Sequence, residues 1–253
     1  MTPRSAGWGT ENQERKPQVG SRSWFSVPHP AFRIPALQMI VTIDGPSGVG
    51  KSTVTKELAA RLGFEYLDTG AMYRAVALAM LRRGIGLDDH AAVAAALAGL
   101  HVEMPPGRVL LNGEDVSDLI RTPEVSQGAS KVGLVPAVRR FLADEQRAGA
   151  AGHDIVCEGR DQGTFVFPDA ACKFFLTGDP RVRAERRAAE LAAKGQSVTV
   201  EEVLADQLQR DRRDELRELA PMVPAADAAI VDTTALTTDQ VIEQLERAVR
   251  ARI

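Results

Sequence analysis

A glycine-rich segment at residues 45–53 carries the residue types that bind nucleotide phosphates. It reads GPSGVGKST, fits G-x-x-x-x-G-K-[ST] and follows a short apolar stretch. The glycines let the backbone curl, and the helix expected next adds a positive N-terminal end. The lysine can reach the β- and γ-phosphates, and the hydroxyl after it can ligate Mg²⁺. A plain glycine-rich turn explains the complete pattern less well. We therefore expect a nucleoside triphosphate site formed by Gly45, Pro46, Ser47, Gly48, Val49, Gly50, Lys51, Ser52 and Thr53.

The segment LDTGAMYR, residues 67–74, places polar side chains after a second apolar stretch. In an open parallel sheet, the carboxyl ends of the strands face the ligand crevice. We therefore expect Asp68, Thr69 and Arg74 to meet a second substrate beside the triphosphate. The alternatives are helix capping by the first two residues and a solvated helix charge for the arginine.

The segment EGRDQGT, residues 158–164, follows a third apolar stretch in the same way. Asp161 can accept hydrogen bonds from an amine or a hydroxyl group, and Arg160 can pair with a phosphate through two N–H groups. Glu158 stands where an acid could join the shell of a metal ion. The alternative is a surface turn made of glycine and charged residues.

Arg183, Arg186 and Arg187 crowd one predicted helix. Like charges at this spacing repel each other, and a triphosphate would relieve the repulsion. Ion pairs with Glu185 and Glu190 on an exposed helix are the alternative.

Arg210, Asp214 and Arg217 share one face of the following helix, because they are spaced i, i+4, i+7. One acid between two arginines suits a ligand that has both a phosphate and a polar ring. An ordinary ladder of ion pairs has the same spacing and is the alternative.

Strands and helices alternate from residue 39 onward, which predicts an α/β fold with a parallel sheet covered by helices on both faces. The predicted strands are 39–44, 64–68, 154–157, 172–176 and 228–231. The predicted helices are 53–62, 70–83, 89–99, 122–149, 181–194, 200–219 and 239–252. Between residues 101 and 116, two short strands and an Asn112-Gly113 hairpin turn predict a small β insertion.

Composition excludes several classes of partner. The 253 residues carry a formal net charge of −3, which gives no electrostatic case for binding nucleic acid or a membrane surface. No run of about eighteen apolar residues predicts a membrane span. Cys157 and Cys172 lie in apolar stretches, so we expect them to be buried in a protein of a reducing compartment. No coiled-coil pattern or exposed apolar stripe favours more than a monomer.

Residues 1–38 differ from the rest of the chain. They are rich in proline, glycine, serine and arginine and lack apolar periodicity, which predicts a disordered N-terminal extension. Met39 comes immediately before the first strand, so we hypothesise that it is the natural start and that the extension is not native. A targeting peptide is the alternative, although Glu11 and Glu14 argue against one.

Six motifs together resemble bacterial cytidylate kinases, which are P-loop nucleoside monophosphate kinases. They are IDGPSGVGKST, LDTGAMYRA, the Val138-Arg139 pair, EGRDQGTFVFPDA, RAERR and QRDRRDELR. The resemblance runs from Met39 to the C-terminus and implies a single P-loop kinase domain over residues 39–253. It implies transfer of the γ-phosphoryl of ATP to CMP or dCMP, with Mg²⁺, in cytoplasmic pyrimidine nucleotide metabolism.

The resemblance also implies roles for individual residues. The expected catalytic residues are Lys51, Arg160, Arg183, Arg186 and Arg187. Ser52 is expected to ligate Mg²⁺, with Glu158 as a further candidate. The expected CMP-binding residues are Thr69, Arg74, Arg139, Arg160, Asp161, Arg210, Asp214 and Arg217. A monophosphate-binding region at about 69–150 would contain the β insertion, and a short helical lid would lie at about 179–197.

Several other functions share part of this sequence pattern. A P-loop alone does not choose the acceptor, so UMP, AMP, dTMP and a small alcohol such as shikimate are alternatives to CMP. A nucleotide-binding switch is the alternative outside enzymes, but neither a Walker B aspartate nor an NKxD motif stands out. The basic and aromatic interleaving typical of single-strand nucleic-acid binding is also missing.

Overall fold

The structure is a computed structural model that describes residues 38–105, 107–193 and 195–253. The predicted disordered extension, apart from Gln38, lies outside these residues and stays a prediction. The strands are β1 (Ile40–Asp44), β2 (Glu65–Asp68), β3 (Val102–Glu103), β4 (Leu110–Leu111), β5 (Glu114–Asp115), β6 (Ile155–Glu158), β7 (Cys172–Thr177) and β8 (Ala229–Asp232). The helices are α1 (Lys51–Leu62), α2 (Thr69–Arg82), α3 (His90–Ala95), α4 (Pro123–Val132), α5 (Pro136–Ala150), α6 (Pro180–Ala193), α7 (Val200–Leu216) and α8 (Thr238–Arg250).

The larger sheet is parallel and has the strand order β2-β6-β1-β7-β8. The central strands β1 and β6 are apolar and almost entirely buried, because helices cover both faces of the sheet. On one face α1 and α8 pack through Leu58 and Leu245, and on the other α5 packs through Ala143 and Ala150. The predicted α/β fold is confirmed, and the carboxyl ends of all five strands lie along one edge.

A second, antiparallel sheet has the order β3-β4-β5 and forms the predicted β insertion. Asn112 and Gly113 both have positive φ, at 50° and 83°, which is the backbone of a tight hairpin turn. This small sheet packs with α2, α4 and α5 around a core that includes Met80, Ile120 and Leu142. The insertion is therefore joined to the helices that follow β2.

The single helix predicted for residues 122–149 is wrong. The chain forms α4 and α5, and Val135 between them is extended, with φ −78° and ψ 115°. The cause is Pro136, which disfavours a helical residue before it and lacks the N–H that a continuous helix needs. Val132, Val138 and Leu142 are nevertheless buried as their spacing predicts.

Two smaller predictions also need correction. The helix predicted for residues 89–99 is limited to α3, after which the chain forms turns up to Leu100. The helix predicted for residues 200–219 ends at Leu216, and Arg217 is extended, with φ −66° and ψ 144°. Its guanidinium donates to the Ala220 carbonyl oxygen beyond the helix, so Arg217 does not continue the helix face of Arg210 and Asp214 as predicted. Residues 162–166 form a π-helical turn for which no prediction was made. Within the described part of the chain, no helix is long and apolar enough to cross a membrane.

The start of α8 gives a stability prediction. The Thr237 hydroxyl accepts the N–H of Gln240 at 3.2 Å, and the Gln240 side chain accepts the N–H of Thr237 at 2.9 Å. Thr237→Ala removes one half of this capping box and should lower the free energy of unfolding by about 1 kcal/mol in urea titrations. Thr238→Ala, one residue later on the exposed side, is the matched control and should cause no loss. Equal effects of both variants would contradict the capping role.

Candidate functional site

Residues 45–53, called the phosphate loop here, run from the end of β1 into the first turn of α1. Gly45, Gly48 and Gly50 have positive φ, so the loop follows a curl that other residues rarely adopt. A Cβ at Gly45 would also collide with the carbonyl oxygen of Leu176 on β7. The turn therefore lies directly against the neighbouring strand, and its shape depends on glycine.

Lys51 is buried beneath the phosphate loop. Its Nζ donates to the carbonyl oxygens of Gly45 at 2.7 Å and Pro46 at 2.6 Å. Burial lowers the pKa of this amine to about 7, and the nearby charge of Arg160 acts in the same direction. An anionic group entering the loop would oppose both effects and favour the charged ammonium.

Ser52 and Glu158 bring two oxygen groups together at the carboxyl edge. The Ser52 hydroxyl donates to Glu158 Oε2 at 2.9 Å, and the Tyr66 hydroxyl donates to Glu158 Oε1 at 2.6 Å. Burial and the nearby charge of Asp68 raise the pKa of Glu158. Mg²⁺ is usually held by one or two protein oxygens together with substrate phosphates, so this donor pair beside a phosphate loop fits that ion. No cluster of three or more acidic, histidine or cysteine ligands occurs among the described residues.

Asp44, which was not among the predicted site residues, connects the end of β1 to the π-helical turn. Its carboxylate accepts the N–H groups of Gln162 at 2.9 Å and Gly163 at 2.8 Å. Burial raises the pKa of Asp44 to about 6, although these hydrogen bonds favour the charged form. The same turn begins beside Asp161, so Asp44 fixes the backbone that carries a predicted site residue.

Five predicted site residues meet in one chain of ion pairs, called the acid–arginine network here. Asp161 contacts Arg139 closely and lies 3.7 Å from Arg217. Asp214 in turn pairs with Arg217 at 3.1 Å and Arg160 at 3.0 Å. The network joins α5, the segment after β6 and the end of α7. It presents both carboxylates and guanidinium groups, the complementary partners for a ligand with amine, hydroxyl and phosphate groups.

The other three predicted CMP-binding residues make separate contacts. The Thr69 hydroxyl donates to the backbone oxygen of Glu158 at 2.6 Å, and Arg74 pairs with Asp68 at 3.0 Å. Arg210 donates to the Ser126 carbonyl oxygen on α4 at 3.1 Å. These side chains therefore lie on elements adjoining the network without pairing with its members.

The clustered arginines of α6 have three different environments. Arg183 is buried and donates to the Ser47 carbonyl oxygen and to Asp211, both at 2.6 Å. Arg186 donates to the carbonyl oxygens of Thr233 at 2.9 Å and Thr234 at 3.3 Å, beyond β8. Arg187 forms an exposed ion pair with Glu190 at 2.8 Å, the arrangement of an ordinary surface helix.

Besides Asp44, three contact residues at this edge were not predicted from the sequence. Tyr66 holds Glu158, Tyr73 lies under Arg139 with 5.6 Å from the guanidinium carbon to the ring centroid, and Asp211 holds Ser47. Asp211 lies inside a run of alternating charges, where its spacing resembles that of the surrounding ion pairs. The two tyrosines have no local sequence signal beyond their place near a strand end.

Comparisons with known proteins agree with the motifs. The family model described as cytidylate kinase matches residues 41–251. The cytidylate kinase of Geobacter sp. strain M21 is 50% identical over 219 residues, which are 85% of this chain and 94% of that protein. Those of Citrifermentans bemidjiense and Solibacter usitatus are 49% and 46% identical, with the same shares of this chain and of their own lengths. The matched segment includes the phosphate loop and every member of the acid–arginine network, and the chain belongs to the cytidylate kinase family.

Proposed function

We propose that this chain transfers the γ-phosphoryl of ATP to CMP or dCMP, giving ADP with CDP or dCDP. One observation carries the proposal beyond family membership. A phosphate loop and a network of paired acids and arginines lie at the same edge of one parallel sheet. The first suits a triphosphate donor, and the second suits a nucleotide acceptor.

ATP would bind with its phosphates on residues 45–53, where backbone N–H groups and Lys51 meet the negative charge. Ser52 and Glu158 would hold Mg²⁺, which when bound neutralises charge on the phosphates. Their hydroxyl–carboxylate contact at 2.9 Å supports this role. A ligand phosphate would replace the two carbonyl oxygens that Lys51 contacts in this structure.

CMP would bind among Thr69, Arg74, Arg139, Arg160, Asp161, Arg210, Asp214 and Arg217. Arg74 and Arg139 would hold its phosphate, for which they would exchange the carboxylates that they contact in this structure. Asp161 and Asp214 would accept hydrogen bonds from the cytosine amine and the ribose hydroxyls, assisted by Arg160 and Arg210. The ready-made ion pairs support this assignment, because they keep every charge partnered before the ligand arrives.

The acceptor is already an anionic phosphate oxygen, so the transfer needs no strong general base. Lys51, Arg160, Arg183, Arg186 and Arg187 would neutralise the charge that spreads over the transferred group. Movement of the monophosphate-binding region, about 69–150, and of the lid, about 179–197, would exclude water and prevent wasteful hydrolysis of ATP. We further propose that residues 39–253 act as one kinase domain, as a monomer in the cytoplasm.

An acceptor panel tests the proposal. The full chain is incubated with ATP, Mg²⁺ and CMP, dCMP, UMP, AMP, dTMP or shikimate, and ADP release is followed. CMP and dCMP should stimulate release strongly, with UMP well behind, and reactions without acceptor give the background. Stimulation by another member of the panel, or by none, would overturn the proposed reaction.

Substitution of Asp161 should weaken the binding of CMP more than the binding of ATP. Asp161→Asn keeps the side-chain shape but removes the charge that pairs with Arg139 and Arg217. We expect the KM for CMP to rise about tenfold or more, and the KM for ATP to change by less than about threefold. Asp169→Asn, an exposed change eight positions later, is the matched control. Equal losses for both substrates would contradict the assignment of Asp161 to the CMP site.

Lys51 should take up a proton when ATP binds. Its pKa of about 7 in the free protein leaves the amine mostly neutral near pH 8.5, whereas phosphates raise the pKa again. Calorimetry in buffers of different ionisation enthalpy should therefore show net uptake approaching one proton.

Lys51→Met should abolish this uptake and lower turnover by orders of magnitude, while circular dichroism shows the fold intact. Lys56→Met, on the exposed side of the same helix, is the matched control and should retain both. Binding without proton uptake by the unaltered chain would contradict the lowered pKa, and normal turnover by Lys51→Met would contradict the catalytic role.

A further inference from the structure

The backbone of Ser47 in the phosphate loop is held from both sides by an ion pair between α6 and α7. Asp211 Oδ1 accepts the Ser47 N–H at 2.9 Å, and Arg183 Nη1 donates to the Ser47 carbonyl oxygen at 2.6 Å. The same Arg183 Nη1 donates to Asp211 Oδ2, also at 2.6 Å. The three groups thus close a ring of hydrogen bonds, called the Ser47 clamp here.

The contact between the helices and the loop is close at the next residue as well. Gln207 lies one turn before Asp211 on α7, and its amide lies against Gly48. A Cβ on Gly48 would collide with that amide and would lie 3.2 Å from the Arg183 carbonyl oxygen. Gly48 also has φ +74°, a conformation that favours glycine, and its surroundings leave little room for a side chain. The phosphate loop therefore rests directly on α6 and α7.

The Ser47 clamp buries two charged side chains, which by itself is unfavourable for the stability of the fold. Arg183 and Asp211 are only 4% and 5% exposed, so both charges lose their hydration in the folded chain, and their pairing has to offset that loss. A well-packed apolar pair is often as stable as a buried ion pair. An apolar pair cannot bind both the N–H and the carbonyl oxygen of Ser47, so it cannot fix the two peptide groups that flank this residue. Hydrogen bonds to charged groups are also stronger than neutral ones.

We propose that Asp211 is a positioning residue of the ATP site, acting through Ser47 and Arg183 without touching the substrate. Its carboxylate holds the Ser47 peptide and aligns the Arg183 guanidinium, so that the N–H groups of the phosphate loop are set before ATP arrives. Preorganised donors bind phosphate more tightly, because no free energy is lost in reorganising the loop on binding. The inference rests on the proposed function only in that residues 45–53 receive ATP.

Calorimetric titration of the full chain with ATP, in the absence of CMP, tests the proposal. Asp211→Asn should weaken ATP binding about tenfold, the effect of losing a charge-assisted hydrogen bond. CMP binding measured without ATP should change by less than about twofold. Glu215→Gln makes the same kind of change at an exposed position of α7, and it should leave both affinities unchanged. Unaltered ATP affinity in Asp211→Asn, or an equal loss for CMP, would overturn the proposal.

A comparison in the Arg183→Gln background keeps the test decisive if Asp211→Asn alone does not fold. Asp211→Asn combined with Arg183→Gln leaves no unpaired buried charge, and it is compared with Arg183→Gln alone. A clamp that works as one unit predicts equal ATP affinities for these two proteins, whereas a further tenfold loss in the double variant would overturn it. Because no acceptor is present, failure of the unaltered chain to phosphorylate CMP would refute the proposed function and leave these binding results standing.

Discussion

The carboxyl edge of the larger sheet is held together by buried charge. Within the described residues, the charged side chains classed as buried all lie at this edge: Asp44, Lys51, Arg139, Glu158, Asp161, Arg183 and Asp211. A buried charge is tolerated only when opposite charges or hydrogen-bonding groups surround it. Each of these groups therefore needs partners, and for Asp44 and Asp211 these lie in the loops of the candidate site. Asp44 binds the turn after β6, and Asp211 binds the loop after β1.

The same requirement explains how an anionic ligand could be received without a large change in fold. Lys51 contacts two backbone carbonyl oxygens, and Arg74 and Arg139 contact carboxylates. A phosphate offers Arg74 and Arg139 one anionic partner in exchange for another, and it offers Lys51 an anionic partner in place of uncharged carbonyl oxygens. Desolvation has already occurred in the folded protein, and the free energy of the new contacts is available for binding. The lowered pKa of Lys51 is the measurable sign of this arrangement.

The sequence was sufficient for the parts of the molecule that depend on local pattern. The phosphate loop, the five parallel strands and the strand-end segments at 67–74 and 158–164 follow from short motifs and apolar runs. Pro136 is also a local indication of the break between α4 and α5. The regular apolar spacing on either side of it nevertheless favoured one continuous helix.

Long-range pairing could not be obtained in the same way. Ser47 and Asp211 are 164 residues apart, and Asp44 reaches Gln162 across 118. Within α7, the acid that holds the phosphate loop has the same local setting as acids that form ordinary ion pairs. Which carboxylate is buried depends on how α6 and α7 pack against the loop, and that packing exists only in the folded chain.

Helix α7 contacts both the phosphate loop and the acid–arginine network, so it relates their positions. Asp211 and Asp214 are one turn apart, so a rigid rise of about 1.5 Å per residue fixes the separation of their backbones. The first pairs with Arg183 and the Ser47 peptide, and the second pairs with Arg160 and Arg217. Phosphoryl transfer depends on the distance and alignment of donor and acceptor more than on any acid or base. A single helix that contacts both the phosphate loop and the acid–arginine network is a direct way to set that distance, because neither partner can shift along α7 without breaking an ion pair.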